Sequence, residues 1–351
     1  MGKLLETPSL LAKYAKGDIL LPAVLHFLAQ TLLLLGILYA SSLSKQSLWE
    51  RIEKRLGRGV GVFYIFFAIY YLFASILPLL DFEKFVYAVF FDTAPTTFSF
   101  GFFFFLLAFV CSKGIKAFGR CSDLCLFLFL VPFLALLTMT FFETDLSRLL
   151  PFFGTPLREI SQAFLKTTPH FSDALLLFPL LSHLKYKKGD GAKIVVGYGL
   201  GAILTLLFFA VFFGIFSSIA PREHYAFSKI ARYFSALNII GRIDLLFIYL
   251  LSIVLLFYTC LPLLYTVELT ASAFHLENKA ILSGIFAFSL FLFVLFMNKQ
   301  YNTFYAVIGG RMTFVFHLIS YLLPLFCLFL PRKGEKLCSN NTKATPHDTT
   351  F

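Results

Sequence analysis

Nine long runs of apolar residues occupy most of this 351-residue chain, and they narrow the possible folds more than any other feature. A run of about 20 apolar residues is long enough to cross a bilayer as a helix. Charged residues make up 14% of the chain and hydrophobic residues 59%, whereas about a quarter of a soluble domain is charged. In lipid each span must satisfy its own backbone hydrogen bonds. The sequence therefore predicts an all-α polytopic membrane protein.

The predicted spans follow one another with short connections. They cover residues 19–42, 60–80, 94–112, 122–142, 169–184, 192–219, 243–274, 279–297 and 302–330. Because no soluble domain interrupts them, residues 1–330 are predicted to form a single transmembrane domain. The polar tail, residues 331–351, is predicted to be disordered.

The net charge of +11 is distributed unevenly among the connections. Lysine and arginine mark the cytoplasmic side of a membrane protein. One alternate set of connections, together with the tail, carries seventeen of these residues, and the opposite set carries nine. This bias predicts a cytoplasmic C-terminus and gives no reason to expect nucleic-acid binding. With an odd number of spans the N-terminus would lie outside, which suggests that part of the usual architecture is missing at the start.

Three connections are predicted to contain helices. In residues 46–58, Leu48, Ile52 and Leu56 recur every four residues among basic ones, which predicts an amphipathic helix that lies on the cytoplasmic membrane surface or only packs. Two external segments, residues 143–168 and 220–241, are longer than connections need to be and mix apolar with polar residues. They are expected to form helices across the outer mouth, either as functional elements or as lids that only pack.

Several side chains within the spans are candidates for function. Phe178-Pro179 lies at the centre of the short fifth span, where a break would expose backbone groups to a substrate, although most proline kinks bind nothing. Glu268 and Arg311 are ionisable residues within spans, with a gating role or a structural ion pair as alternatives. We find no convergent set of catalytic residues or metal ligands. The sequence therefore predicts neither an enzyme nor a bound cofactor or metal.

Four strings occur in an order and spacing that cover the chain from about Pro8 to Leu330. They are Thr93-Ala94-Pro95; Lys113-Gly114-Ile115 with Gly119-Arg120 and Pro132; Leu149-Leu150-Pro151-Phe152-Phe153-Gly154; and Ala231-Arg232-Tyr233 with Gly241-Arg242-Ile243-Asp244. Together they resemble the B subunits of GerA-type spore germinant receptors, which belong to the amino acid, polyamine and organocation transporter superfamily.

The resemblance implies a LeuT-like inverted-repeat helix bundle of ten helices, in which helices 1 and 6 are broken around a small-molecule site. Helices 2 to 10 of that family fall onto the nine spans, with helix 6 on the span that contains Phe178-Pro179. Residues 7–12 resemble the stretch after the break in helix 1, so the first half of helix 1 is missing. Either the true start lies upstream, where about 20 more mostly apolar residues would be encoded in frame, or the site is degenerate.

The resemblance also implies a function. Such a subunit would lie in the spore inner membrane with A and C subunits, recognise an amino acid or similar small nutrient and help trigger germination. Fold position places the wall of the site at nine residues: Pro8, Ser9, Tyr70, Tyr71, Ser75, Phe178, Pro179, Tyr258 and Thr259. The alternative is a secondary amino acid transporter of the same superfamily, for which Glu268 is the one intramembrane carboxylate that the sequence offers.

Overall fold

A computed structural model of the chain describes residues 2–42, 48–90, 96–183, 186–187, 189–233, 244–298 and 300, and positions 303, 315, 318, 319, 321 and 322. Over these residues the chain is helical and contains no strand, which confirms the predicted all-α class. Arg311, most of the predicted span 302–330 and the tail 331–351 lie outside the described residues.

The described chain forms α-helices joined by short turns and 3₁₀-helices. The α-helices are α1 (Thr7–Ala15), α2 (Leu20–Ser42), α3 (Leu48–Leu56), α4 (Val60–Phe90), α5 (Thr96–Ser112), α6 (Gly114–Phe141), α7 (Leu157–Thr167), α8 (Asp173–His183), α9 (Asp190–Phe216), α10 (Ala226–Tyr233), α11 (Asp244–Phe274) and α12 (Lys279–Asn298). The 3₁₀-helices are Gly2–Leu4, Lys16–Asp18, Gly57–Gly59, Leu146–Leu149, Thr168–His170 and Ser217–Arg222.

Six of the described helices are long and apolar enough to cross a membrane: α2, α4, α6, α9, α11 and α12. Their outer faces carry large apolar side chains, and α5 does the same. Phe102 and Phe105 of α5 are each 69% exposed, and Leu124 of α6 is 74% exposed. A water-soluble protein rarely exposes such contiguous apolar surface, whereas lipid tails solvate it. The protein is therefore a multi-pass membrane protein.

The most extensive packing joins helices that are far apart in sequence. Helix α4 packs along α11, α5 along α12, α2 along α9, and α1 along α7. The first members of these pairs follow one another as α1, α2, α4 and α5, and their partners follow in the same order as α7, α9, α11 and α12. Each helix of the first series therefore packs against the helix that has the same position in the second series.

The connections contain the helices that their sequences predicted. Helix α7 lies within residues 143–168, α10 within 220–241, and α3 within 46–58. Trp49 of α3 is buried, and its ring stacks on that of Tyr64 in α4 at 5.2 Å between centroids. Trp49 and Ile52 of α3 are therefore packed against the protein, whereas Leu56 is 38% exposed.

Helix α7 is held against the N-terminal part of the chain by polar contacts. The buried carboxylate of Asp18, in the turn between α1 and α2, accepts hydrogen bonds from the backbone N–H groups of Phe153 and Thr155, both at 2.7 Å. Lys16 forms an ion pair with Glu159 of α7 at 2.8 Å. These contacts fix the loop before α7, and hence α7 itself, beside α1.

Helix α8 is shorter than the fifth span that the sequence predicted. Pro169 lacks a backbone N–H and cannot extend the hydrogen-bond ladder of α7, and the chain forms a 3₁₀-turn, Thr168–His170, before α8 begins at Asp173. The carbonyl of Ser172 accepts the first hydrogen bond of α8, from the N–H of Leu176 at 3.1 Å. The helical path is thus interrupted at residues 168–172.

Candidate functional site

A small cavity lies where α4 and α11 meet the interruption between α7 and α8 and the segment that precedes α1. Its lining residues are Leu5, Tyr70, Ala74, Pro78, Asp81, Pro169, His170, Ser172, Leu176, Leu255, Tyr258 and Pro262. About 40 Å³ is available to the centres of water molecules, and one buried water needs roughly 10–15 Å³. The cavity can therefore hold a few waters or a small solute.

Residues with polar side chains line this cavity from three elements. Helix α4 supplies Tyr70 and the buried Asp81, the interruption supplies His170 and Ser172, and α11 supplies Tyr258. A carboxylate accepts hydrogen bonds, and hydroxyls both donate and accept them. The lining can thus bind a solute that carries donors and acceptors.

The segment before α1 is tied to its neighbours at three positions. Lys3 pairs with Asp173, as described below. The carbonyl of Leu5 accepts the N–H of Ala226, the first residue of α10, at 3.0 Å. Glu6 Oε2 lies 2.9 Å from Nδ1 of His224, and this hydrogen bond raises the pKa of His224 above its ordinary value, against an opposing effect of partial burial.

Beside the cavity, the ammonium group of Lys3 binds the carboxylate of Asp173. Lys3 Nζ lies 2.6 Å from both Asp173 oxygens. The hydroxyl of Tyr198 in α9 donates a hydrogen bond to Asp173 Oδ2 at 3.0 Å. The next N–H of α8, from Ala174, donates to the side chain of Gln30 in α2 at 3.0 Å. This end of α8 is therefore a polar junction of α2, α9 and the N-terminal segment.

The middle of α8 lies in an aromatic cluster, which we define as Trp49, Tyr64, Phe67, Tyr71, Phe178 and Tyr265. Phe178 is fully buried, with its ring centroid 6.0 Å from those of Phe67 and Trp49. The structure therefore places Phe178 in packed core, and it is not among the cavity-lining residues.

Helix α8 continues through Pro179, where the sequence predicted a break. The missing N–H of Pro179 would have bonded the carbonyl of Leu175, four residues earlier. The hydroxyl of Tyr71 donates to that carbonyl at 2.7 Å. Because the freed carbonyl has this partner, the helix tolerates the proline without opening.

The remaining predicted wall residues have three kinds of surroundings. Tyr70 and Tyr258 line the cavity. The hydroxyls of three others bond to backbone carbonyls nearby in sequence: Ser9 to Glu6, Ser75 to Leu72, and Thr259 to Leu256, each at 2.7 to 2.8 Å. Pro8 is buried in the first turn of α1. A ligand role for all these residues stays a prediction.

Glu268, predicted as a buried or gating charge, lies 3.8 Å from Lys279 across the turn between α11 and α12. The sequence reasoning missed Asp81, His170 and Ser172 as lining residues. Asp81 was missed because the predicted span ended at residue 80, whereas α4 runs to Phe90. Ser172-Asp173 is a typical helix-start signal, and it indicates where α8 begins.

The full sequence was compared with those of known proteins. No curated protein sequence matches it. A family model described as spore germination protein matches residues 7–330, which include α1 to α12 and every cavity-lining residue except Leu5. The match extends over most of the 351 residues. This membrane protein therefore belongs to the spore germination protein family.

Proposed function

We propose that this chain is the membrane subunit of a spore germinant receptor and that the cavity binds an amino acid or a similar small nutrient. The observation that carries the proposal is the position of the cavity, at the junction of an interrupted helical path, α4 and α11, in a chain of the spore germination family. Membrane transporters commonly place small-molecule sites at such interruptions.

The chemistry of the lining fits a small zwitterion. The carboxylate of Asp81 matches an ammonium group, and the hydroxyls of Tyr70, Ser172 and Tyr258 can bond either end of the solute. The volume limits the solute to a few heavy atoms unless the lining moves. Nutrient binding would favour one conformation of the bundle, and that shift would reach A and C subunits in the spore inner membrane.

The packing of the two series of helices supports the LeuT-like architecture that the resemblance implies. In this packing α1, α2, α4 and α5 lie against α7, α9, α11 and α12, in that order. Two repeats related by an axis place equivalent helices in reciprocal positions. In that architecture the segment before α1 would be the break in helix 1 and the interruption before α8 would be the break in helix 6, so the two segments would correspond. Both border the cavity, through Leu5 and through residues 169–172.

The test is the nutrient dependence of germination in spores that carry single substitutions. Tyr258→Phe removes a hydroxyl from the cavity, and losing one hydrogen bond to a ligand should raise the half-maximal nutrient concentration about 2- to 10-fold. Tyr249→Phe is the matched control, because Tyr249 lies on the same helix and is 59% exposed. An unchanged response in Tyr258→Phe, Ser172→Ala and Asp81→Asn alike would contradict the proposal.

The second candidate function is that of a secondary transporter, and two buried carboxylates support it. Asp81 and Glu83 are 7% and 2% exposed, and both lie within the apolar stretch Val60–Val86. Intramembrane carboxylates commonly serve proton relays. Uptake of labelled amino acids into proteoliposomes that contain only this chain would favour transport, whereas binding without uptake would favour the receptor.

A further inference from the structure

The ammonium group of Lys3 is enclosed by a carboxylate and two aromatic rings. Besides its contacts with Asp173, Lys3 Nζ lies 5.3 Å from the ring centroid of Phe27 and 5.0 Å from that of Phe171. The side chains of Lys3 and Asp173 are 10% and 19% exposed. We call Phe27, Phe171 and Asp173 the ammonium cage. A carboxylate combined with aromatic faces is the chemistry that recognises organic ammonium ions.

The walls of the cage are held by contacts that do not involve Lys3. Phe171 stacks on His26 of α2 at 4.3 Å, with the rings 5° from parallel, and meets the edge of Phe27 at 5.3 Å. Asp173 is fixed by the Tyr198 hydroxyl. The walls thus come from α2 and the start of α8, with α9 supporting Asp173, whereas Lys3 enters on the separate 3₁₀-helix Gly2–Leu4. The walls of the cage therefore have supports that are independent of Lys3.

The cage favours a cation, because a buried carboxylate is destabilised when its charged partner is removed. The cavity lies directly beside it. Leu5 of the cavity lining is two residues from Lys3, and Ser172 joins the two cage residues Phe171 and Asp173. An ammonium group of a solute in the cavity is thus next to a site of matching charge.

We infer that the cage is a binding site for primary alkylammonium groups and that Lys3 is its built-in occupant, which keeps amines from outside out of the cage. The inference concerns binding alone and does not depend on the proposed nutrient-sensing role. It predicts that removing the Lys3 side chain opens the cage to a free amine of the same size.

The experiment is chemical rescue of Lys3→Ala in the purified full-length protein. The substitution deletes three methylenes and the ammonium group, which correspond to n-propylammonium. We expect Lys3→Ala to lower the thermal unfolding midpoint by several degrees and n-propylammonium chloride to restore most of that loss. Equal concentrations of n-propanol or sodium chloride should restore little, and the wild type should not respond to the amine.

Three variants separate a specific cage from a general effect of amines. Lys3→Met fills the space without a charge, so it should lose stability and gain nothing from the amine. Lys3→Ala/Asp173→Asn removes the carboxylate and should abolish rescue. Lys13→Ala is the matched control, because Lys13 is exposed and lies over a single ring, that of Tyr14, at 5.8 Å; it should neither lose stability nor respond.

Equal effects of n-propylammonium and n-propanol on Lys3→Ala, or rescue that survives Asp173→Asn, would overturn the inference. If Lys3→Ala cannot be purified alone, the amine is added to membranes before extraction, and the yield of monodisperse protein becomes the readout. A yield that depends on n-propylammonium supports the cage, and a yield that neither compound improves contradicts it. Because no germination is measured, a failure here leaves the nutrient-binding proposal to its own test.

Discussion

The start and the middle of α8 have different surroundings. At the start, Asp173 binds the ammonium group of Lys3, the N–H of Ala174 bonds a side-chain amide, and Ser172, the residue before the helix, lines the cavity. At the middle, five residues after Asp173, Phe178 is packed among aromatic rings, and the helix continues through Pro179. The difference shows that, in this protein, the proline beside the cavity is the one at which the helix is interrupted. Here the helix is opened by Pro169, and Pro179 is accommodated.

The largest effect that tests this contrast is expected at the ion pair. Asp173→Asn leaves the Lys3 ammonium buried without its carboxylate, which should cost about 3–5 kcal/mol of stability. The double variant Lys3→Met/Asp173→Asn should lose clearly less than the sum of the two single losses. The measurement is thermal or denaturant unfolding in detergent.

The control for that substitution is Asp190→Asn, which changes an aspartate in the first turn of α9. Asp190 accepts a hydrogen bond from the exposed N–H of Lys187, so its loss should be small. Equal losses for Asp173→Asn and Asp190→Asn, or strictly additive losses at Lys3 and Asp173, would contradict the account of a polar start to α8.

A smaller effect is expected from Tyr71, which supports the middle of α8. Tyr71→Phe leaves the Leu175 carbonyl without a donor in a buried place, which should cost about 1–3 kcal/mol. Pro179→Ala restores the backbone N–H that this carbonyl lacks, so it should recover most of the loss when combined with Tyr71→Phe. The measurement is the free energy of unfolding of the wild type, the two single variants and the double variant, which together give the coupling between Tyr71 and Pro179. Losses that simply add would show that Tyr71 does not compensate for Pro179.

The smallest effect concerns the contact between Glu6 and His224, which ties the segment before α1 to the loop before α10. The pKa of His224 is raised in the folded protein, chiefly by its hydrogen bond to Glu6. The contribution of His224 to stability is therefore complete below its pKa in the unfolded chain, about 6.5. It is lost as the pH rises through the higher pKa of His224 in the folded protein. The contribution is modest because the His224 side chain is 65% exposed.

Replacing His224 by glutamine should remove this part of the pH dependence. Between about pH 6 and about pH 8 the unfolding midpoint of the wild type should fall more than that of His224→Gln. Glu6→Gln should resemble His224→Gln, because either change removes the charge pair. Parallel pH profiles of the wild type and both variants would exclude a role for this contact.

Sequence periodicity was sufficient for the helical class and for the helices in the connections, because apolar runs and amphipathic spacing are local signals. It was insufficient for the site, because the cavity depends on which residues of four distant segments meet. Tyr70 and Tyr71 are adjacent tyrosines on α4, yet the first lines the cavity and the second bonds the Leu175 carbonyl. Only packing distinguishes them. Lys3 similarly carries no sequence signal for a partner 170 residues away.

We propose that the nutrient binds at the start of α8 and not around Phe178-Pro179. The most direct measurement compares the nutrient concentration for half-maximal germination in Ala74→Leu and Phe178→Leu spores, with equal amounts of subunit confirmed by immunoblot. Ala74 lines the cavity, so Ala74→Leu should obstruct it and raise that concentration at least about tenfold, whereas Phe178→Leu should change it less than about threefold. A normal response in Ala74→Leu together with a large shift in Phe178→Leu would contradict the account.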